Sequence, residues 1–207
     1  NNSYHFWFCS FPSFQKKSIK YYECNVFRNA GTSTVLGIPK NKIIVNCPLI
    51  GGGFGGKLIA YLEPLAVLLS EKAGRPVKMA MSREDVFRAT GPTSGTVIRI
   101  KLGMKNDGSI TAATAWMAYE AGAFKGGAYA PGAMSIFSPY DIDNFLVESF
   151  DVLVNKPKVA AYRAPGAPQA MHAFESAMDE AAIKLGMDPL DLRLKNAADE
   201  GTQAPYG

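Results

Sequence analysis

The sequence predicts an α+β fold, a mixed or antiparallel sheet with helices laid on one face. Three observations carry that expectation. "GTVIRIKLGMKNDGSITAATAWMAYE" alternates Ile98, Ile100 and Leu102 with Val97, Arg99 and Lys101, then turns at Asn106-Asp107-Gly108 into a second alternating run. That is a hairpin in a half-buried antiparallel sheet. The last third changes period: Met171, Phe174, Met178 and Ala181/Ala182 recur at helical spacing between Pro168 and Gly186. Between the two, nothing repeats as the strand–helix–strand unit that builds a parallel sheet.

Taken in order, residues 1–22 are rich in aromatics without a clear period and form an atypical N-terminal segment of strand or loop. "LGIPKNK" reads as a helix end, glycine then proline, and "KIIVNC" as a short β-branched strand. Leu58 to Ala73 reads as a helix, with Leu62, Leu65, Ala66 and Leu69 at helical spacing and Gly74-Arg75-Pro76 as its stop. Pro64 would kink it unless the helix starts just before that residue. "PVKMAMS" is the next strand, "GAFKGGAYAPGAMS" a small-residue loop, and "NFLVESFDVLVNKP" one or two further strands. The long helix of Gln169 to Leu185 is followed by a second, "PLDLRLKNA", for which Asp188 supplies the N-cap and Pro189 the first helical residue.

Composition excludes several functions. With 47% apolar and 19% charged residues the chain is an ordinary globular one, not a disordered tail. A net charge of +4 without a block of lysine or arginine gives no nucleic-acid footprint. Cys9, Cys24 and Cys47 share no C-x-x-C spacing, and an odd count argues against a disulfide framework. His5 and His172 are too few for a histidine-built metal site, and His172 is expected to pack among apolar helix neighbours. There is no membrane-length apolar run and no secretory signal pattern, so a cytoplasmic location is expected.

The stretch Gly51-Gly52-Gly53-Phe54-Gly55-Gly56-Lys57 matches two nucleotide motifs on paper. A phosphate-binding P-loop requires Ser or Thr after its lysine to hold magnesium, and here Leu58 follows. A dinucleotide-binding turn requires a strand running directly into the first glycine and an acidic strand end about 20 residues on. Val45 is separated from Gly51 by "NCPLI", and Glu71 falls inside the predicted helix. Two readings remain. The glycines let backbone amides approach a ligand, helped by the positive end of the following helix, with Phe54 placed to touch it. Alternatively they only make a tight turn, and Phe54 fills a gap in the core.

A second stretch, "KPKVAAYRAPGAPQAMHAFESAMDEAAIKLGMDPLDLRLKN", taken with "GIPKNKIIVNCPLIGGGFGGK", resembles the large, molybdenum-cofactor-binding subunit of the xanthine oxidase family of molybdenum hydroxylases. The resemblance runs from about Leu36 to the C-terminus. It implies that residues 23–207 are part of a molybdopterin-cofactor-binding domain. It also implies that Gly53, Phe54 and Gly55 form a backbone wall against the cofactor, that Ala161, Tyr162 and Gly166 form a second wall, and that Arg163 faces the substrate or the metal's surroundings. Without the resemblance, Arg163 would read as one half of a surface ion pair. No residue of this chain is assigned as a metal ligand. The implied activity is oxidation of an aldehyde or N-heteroaromatic small molecule, with water as the oxygen source. The implied cofactor is molybdenum-molybdopterin, in its cytosine dinucleotide form. Iron–sulfur clusters, and possibly FAD, would sit on partner subunits, since three scattered cysteines cannot ligate them. The partners implied are therefore an iron–sulfur subunit, a flavin subunit and the remaining part of the molybdenum-binding subunit.

Departures from the family narrow the substrate. Xanthine-specific members resemble "GGGFGGKE" at the loop, and this chain has Leu58 at the position of that glutamate. Their purine-stacking phenylalanine corresponds to Pro165, and their second substrate arginine aligns with Thr93. Ala164 stands where carbon monoxide dehydrogenases carry a copper-ligating cysteine. A family glutamine that contacts the cofactor aligns with Glu23, and the general-base glutamate of the family lies beyond this sequence. The expectation is thus a fragment of a nicotinate- or aldehyde-type enzyme, inactive in isolation. The competing expectation is a truncated or degenerate scaffold that keeps the fold and binds no cofactor.

Overall fold

In a computed structural model, residues 7–10, 17–20, 25–46 and 52–204 are described, with side chains over 30–45 and 52–204. The chain divides into two compact units, Asn1–Gly91 with Ala160–Arg163, and Pro92–Val159 with Ala164–Gly207.

In the first unit, strands β1 (Trp7–Ser10), β2 (Lys17–Lys20), β3 (Ile43–Asn46) and β4 (Val77–Met79) form a sheet in the order β3-β2-β1-β4. β1 runs antiparallel to β2 and β4, whereas β2 and β3 are parallel, so this sheet is mixed. Helix α1 (Asn25–Leu36) stops at Gly37, whose φ of 64° only glycine adopts without strain, and a 3-10 turn over Lys40–Lys42 leads into β3. Ile43 and Val67 form the buried centre, enclosed by Leu36, Ile38 and Val45.

Helix α2 spans Glu63–Ala73 rather than starting at Leu58. Pro64 decides this, because a residue without an N–H fits the first turn and would break a later one. The first helical bond runs from Ala66 N to the Leu62 carbonyl. The predicted stripe is also only half right. Leu62 and Ala66 are buried, but Leu65 and Leu69 are 50% and 46% exposed, and the inward face is Ala66, Val67 and Ser70. The helix is apolar on more than one side, so periodicity alone could not choose the buried one. Helix α3 (Arg83–Ala89) was not expected. Its start is a capping box, the Ser82 hydroxyl accepting from Asp85 N while the Asp85 carboxylate accepts from Ser82 N.

The second unit holds the predicted hairpin, β5 (Thr96–Met104) and β6 (Ile110–Gly122), paired antiparallel with Ile98 opposite Met117. β7 (Phe145–Leu153) is one strand, parallel to β6, giving the order β5-β6-β7. Helices α4 (Tyr129–Ser135), α5 (Ala167–Leu185) and α6 (Pro189–Lys195) complete it. The core unites Met117 and Tyr119 of β6 with Ile136, Phe137, Phe174, Met178 and Leu192. Phe174 stacks edge-on against Phe137 at 4.9 Å and Tyr140 at 5.2 Å between ring centroids.

The expected loop at Gly122–Ser135 therefore contains α4. Pro131 sits in its first turn, where a missing N–H costs nothing, so the Gly/Pro content did not forbid a helix. Along α5, Ala170, Phe174, Met178 and Ala182 are the buried positions, with Met171 only partly so. His172 lies on the opposite side from Ala170 and Phe174 and is exposed, which corrects its expected packing role. As read from the sequence, Asp188 caps α6, accepting from Leu190 N and Asp191 N. Among the described residues no helix is long and apolar enough to cross a membrane.

Candidate functional site

Between β3 and α2 the chain turns on itself at the glycine run. Gly56 N donates to the Gly53 carbonyl at 2.8 Å and Leu58 N to the Gly55 carbonyl at 3.4 Å. Gly52 and Gly55 hold φ of 121° and 90°, and Phe54 holds 50°. The amides of Gly53, Phe54 and Gly55 donate to no partner among the described residues. Phe54 is 67% exposed, so it does not fill a core gap. Gly51 and Cys47 lie outside the described residues, as do Glu23, Cys24 and the side chain of Cys9.

The expected push from the helix end is absent at the loop. α2 begins only at Glu63, seven residues after Gly56. The Glu63 side chain is buried and its carboxylate accepts from Tyr61 N at 2.8 Å, so a carboxylate already lies at that positive end. The donors offered by the loop are its own amides.

Against this loop, within the same unit, lies Ala161-Tyr162-Arg163. Arg163 N donates to the Phe54 carbonyl at 2.8 Å. A Cβ on Gly55 would lie 3.2 Å from the Ala161 carbonyl oxygen and 3.3 Å from its Cβ, so glycine is what permits this approach. The Arg163 guanidinium lies 5.9 Å from the centroid of the Phe54 ring, and Tyr162 is exposed. Among the described residues no carboxylate pairs with Arg163, contrary to the surface ion-pair reading.

Backbone strain marks the same place. Among the described residues three non-glycines hold positive φ: Phe54 at 50°, Arg163 at 29° and Ala164 at 58°. Each left-handed residue with a Cβ costs roughly 1–2 kcal/mol. Such strain persists where surrounding contacts over-determine it, and it concentrates at functional sites.

Gly166 belongs to the second unit, where it precedes α5 with φ 89° and no side-chain cap. A Cβ there would overlap the Ala128 carbonyl and approach Gly132 N at 3.0 Å. The Tyr119 hydroxyl donates to the Gly166 carbonyl at 3.1 Å. Burial pushes the Tyr119 phenol up to about 12, so it remains a donor at any physiological pH. Of the seven residues singled out from the sequence, six thus lie in the first unit, with Phe54, Gly55, Ala161 and Arg163 in mutual contact. Gly166 lies in the second unit. The strained backbone of Ala164 and the Tyr119–Gly166 hydrogen bond were not expected. Ala164 lay inside the quoted motif, and its left-handed backbone had no sequence signal, whereas Tyr119 showed only as one inward position of an alternating strand.

The site's donor set fits a molybdenum–pterin group. Among the described residues the amides of Gly53, Phe54 and Gly55 have no partner, the Arg163 guanidinium lies beside the Phe54 ring, and the glycine at 55 lets Ala161 pack directly against the loop. Such a set receives an anionic, oxygen-rich ligand.

Comparisons with known proteins point the same way. Residues 25–197 match the family described as "Molybdopterin cofactor-binding domain". The putative xanthine dehydrogenase molybdenum-binding subunit of Escherichia coli K12 is 35% identical over 174 residues, covering 82% of this chain and 23% of that protein. The nicotinate dehydrogenase large molybdopterin subunit of Eubacterium barkeri is 32% identical over 178 residues, 84% of this chain and 41% of that one. Among solved structures, the aldehyde oxidoreductase from Desulfovibrio gigas superposes with a TM-score of 0.88 at 29% identity, over 98% of this chain and 23% of that one. The chain therefore spans less than half the length of these relatives.

Proposed function

The chain belongs to the molybdopterin cofactor-binding domain family, and from that premise we propose that it forms part of the active site of a molybdenum hydroxylase oxidising an aldehyde or N-heteroaromatic substrate. When bound, the molybdenum–pterin group supplies two-electron oxidation of a substrate carbon with water as the source of oxygen. The observation that carries the reading is the strained pair of loops: amides at Gly53, Phe54 and Gly55 with no partner among the described residues, and Phe54 held to Arg163 by one backbone hydrogen bond.

In this reading the three loop amides would donate to oxygens of the cofactor, and Gly55 lets the Ala161 wall close against the loop. Ala161, Tyr162 and Gly166 contribute the second wall. Arg163 holds its positive charge beside the ring of Phe54 and orients a polarised or anionic substrate, while the exposed Phe54 ring offers an apolar face. Leu58, Pro165 and Ala164 argue against a purine and against a copper-assisted centre.

The finer proposals follow the same premise. Residues 23–207 are part of the cofactor-binding domain, and the cofactor is the cytosine dinucleotide form. Electrons leave through an iron–sulfur subunit, and a flavin subunit can receive them. The remainder of the molybdenum-binding subunit completes the site, in the cytoplasm. The test is purification of the chain with its partner polypeptides, followed by elemental analysis and release of the pterin. Molybdenum and a pterin dinucleotide in near-stoichiometric amount are expected. Their absence would instead support the scaffold that binds no cofactor.

A further inference from the structure

We infer that Tyr119 is a positioning residue, reaching from the middle strand of its sheet to set the backbone of Gly166 for the bound cofactor. The inference rests on the reading above that Gly166 is part of the cofactor's second wall. Its basis is a small, fully specified junction. Tyr119 is wholly buried, and its hydroxyl donates to the Gly166 carbonyl at 3.1 Å. Gly132 of α4 makes room for that hydroxyl, because a Cβ there would overlap it. Gly166 is in turn pressed against the Ala128 carbonyl and Gly132 N, a fit only glycine at φ 89° accepts. Three elements thus converge on one peptide group: β6 through Tyr119, α4 through Ala128 and Gly132, and the turn Ala164–Gly166.

Apart from these contacts and the helical bond that Ala170 N donates to the same carbonyl at 3.2 Å, little fixes the turn. Gly166 has no side chain of its own, α5 begins without a side-chain cap, and Ala164 is held in a left-handed conformation. A free turn of this composition samples many backbone states. A buried hydrogen bond from a rigid central strand selects one of them before the ligand arrives, so less ordering remains for binding to supply.

The discriminating comparison uses two phenol-to-phenyl substitutions in one core. Tyr119→Phe removes the hydroxyl that meets Gly166. Tyr140→Phe removes a hydroxyl that donates to Glu175 at 2.7 Å and touches no part of the turn. Both are made in the chain assembled with its partner polypeptides. Molybdenum and pterin per chain, the rate of pterin loss on dialysis and the melting temperature are measured. Tyr119→Phe is expected to release the cofactor roughly five- to tenfold faster than wild type, the scale of one buried hydrogen bond. Tyr140→Phe is expected to melt earlier to a similar extent while keeping the wild-type release rate. Wild-type release from Tyr119→Phe overturns the inference, as does equally fast release from both variants. A wild-type assembly holding neither molybdenum nor pterin overturns the cofactor reading itself, and this inference with it.

Discussion

The amide of Arg163 donates to the carbonyl of Phe54 at 2.8 Å, and both residues hold left-handed backbone conformations. Two side-chain-bearing residues in a costly conformation are thus joined by their own main chains as a latch.

Relieving the strain should stabilise the protein. Ala164→Gly removes a left-handed cost of roughly 1–2 kcal/mol and adds roughly 0.5–1 kcal/mol of backbone entropy to the unfolded chain. The balance is about 0.5–1 kcal/mol of stabilisation, a rise of roughly 1–4 °C in melting temperature, read by calorimetry. A fall in melting temperature would show that the φ of 58° is not strained.

Crowding the Gly55–Ala161 contact should do the reverse. Gly55→Val places a branched Cβ against the Ala161 carbonyl, 3.2 Å from the first side-chain atom, at a φ of 90°. A loss of roughly 1–3 kcal/mol is expected, together with loss of the cofactor from the assembled protein. Cofactor retained at wild-type stoichiometry would refute close approach at this position.

Arg163→Ala separates chemistry from support. The side chain forms no ion pair among the described residues, and the latch uses only its main chain. Stability and cofactor content should stay near wild type while kcat/KM falls at least about a hundredfold, the scale of about 3 kcal/mol in transition-state stabilisation. Steady-state kinetics of the assembled enzyme make the measurement, and full turnover would remove the residue from the site.

The second unit has its own weak point in Asn196. Its side chain accepts from Ile110 N at 2.8 Å and donates to the Gly108 and Leu192 carbonyls at 2.9 and 2.8 Å. Asn196→Ala leaves these groups without partners at the hairpin end and should cost about 3 kcal/mol, measured by denaturant unfolding.

Alkaline pH probes the same core. Burial raises the phenols of both Tyr119 and Tyr140, the latter further through its bond to Glu175. Their protonated forms are favoured in the folded state, so this stability is fully present below the ordinary tyrosine value near 10. It is lost as pH rises through the folded value, about 12 for Tyr119. Melting temperature should fall steadily above pH 10, and more shallowly in Tyr119→Phe.

Much of this was legible from residue order. Ile98, Ile100 and Leu102 alternate because one face of their strand meets a core, and the Asn-Asp-Gly turn joins it to its partner. What periodicity missed had physical causes. Leu65 and Leu69 matched a helical stripe, but small Ala66 and Ser70 allow closer approach and took the inward face. α3 carries a readable start signal in Ser82-x-x-Asp85, a capping box. The two candidate motifs were legible, yet the latch between them was not. No pattern in the sequence pairs Phe54 with Arg163, and none announces a left-handed alanine.

The segment Ala160–Arg163 belongs to the first unit although the rest of that unit ends at Gly91. On the ribosome the glycine loop emerges first, and its opposing wall follows about 110 residues later, roughly 5–20 seconds at ordinary synthesis rates. Closing a loop of that length costs roughly 4 kcal/mol of chain entropy, which no neighbouring contact along the sequence can defray. The order of manufacture therefore leaves the first unit incomplete until Arg163 has emerged, after Pro92–Val159 of the second unit has already been made.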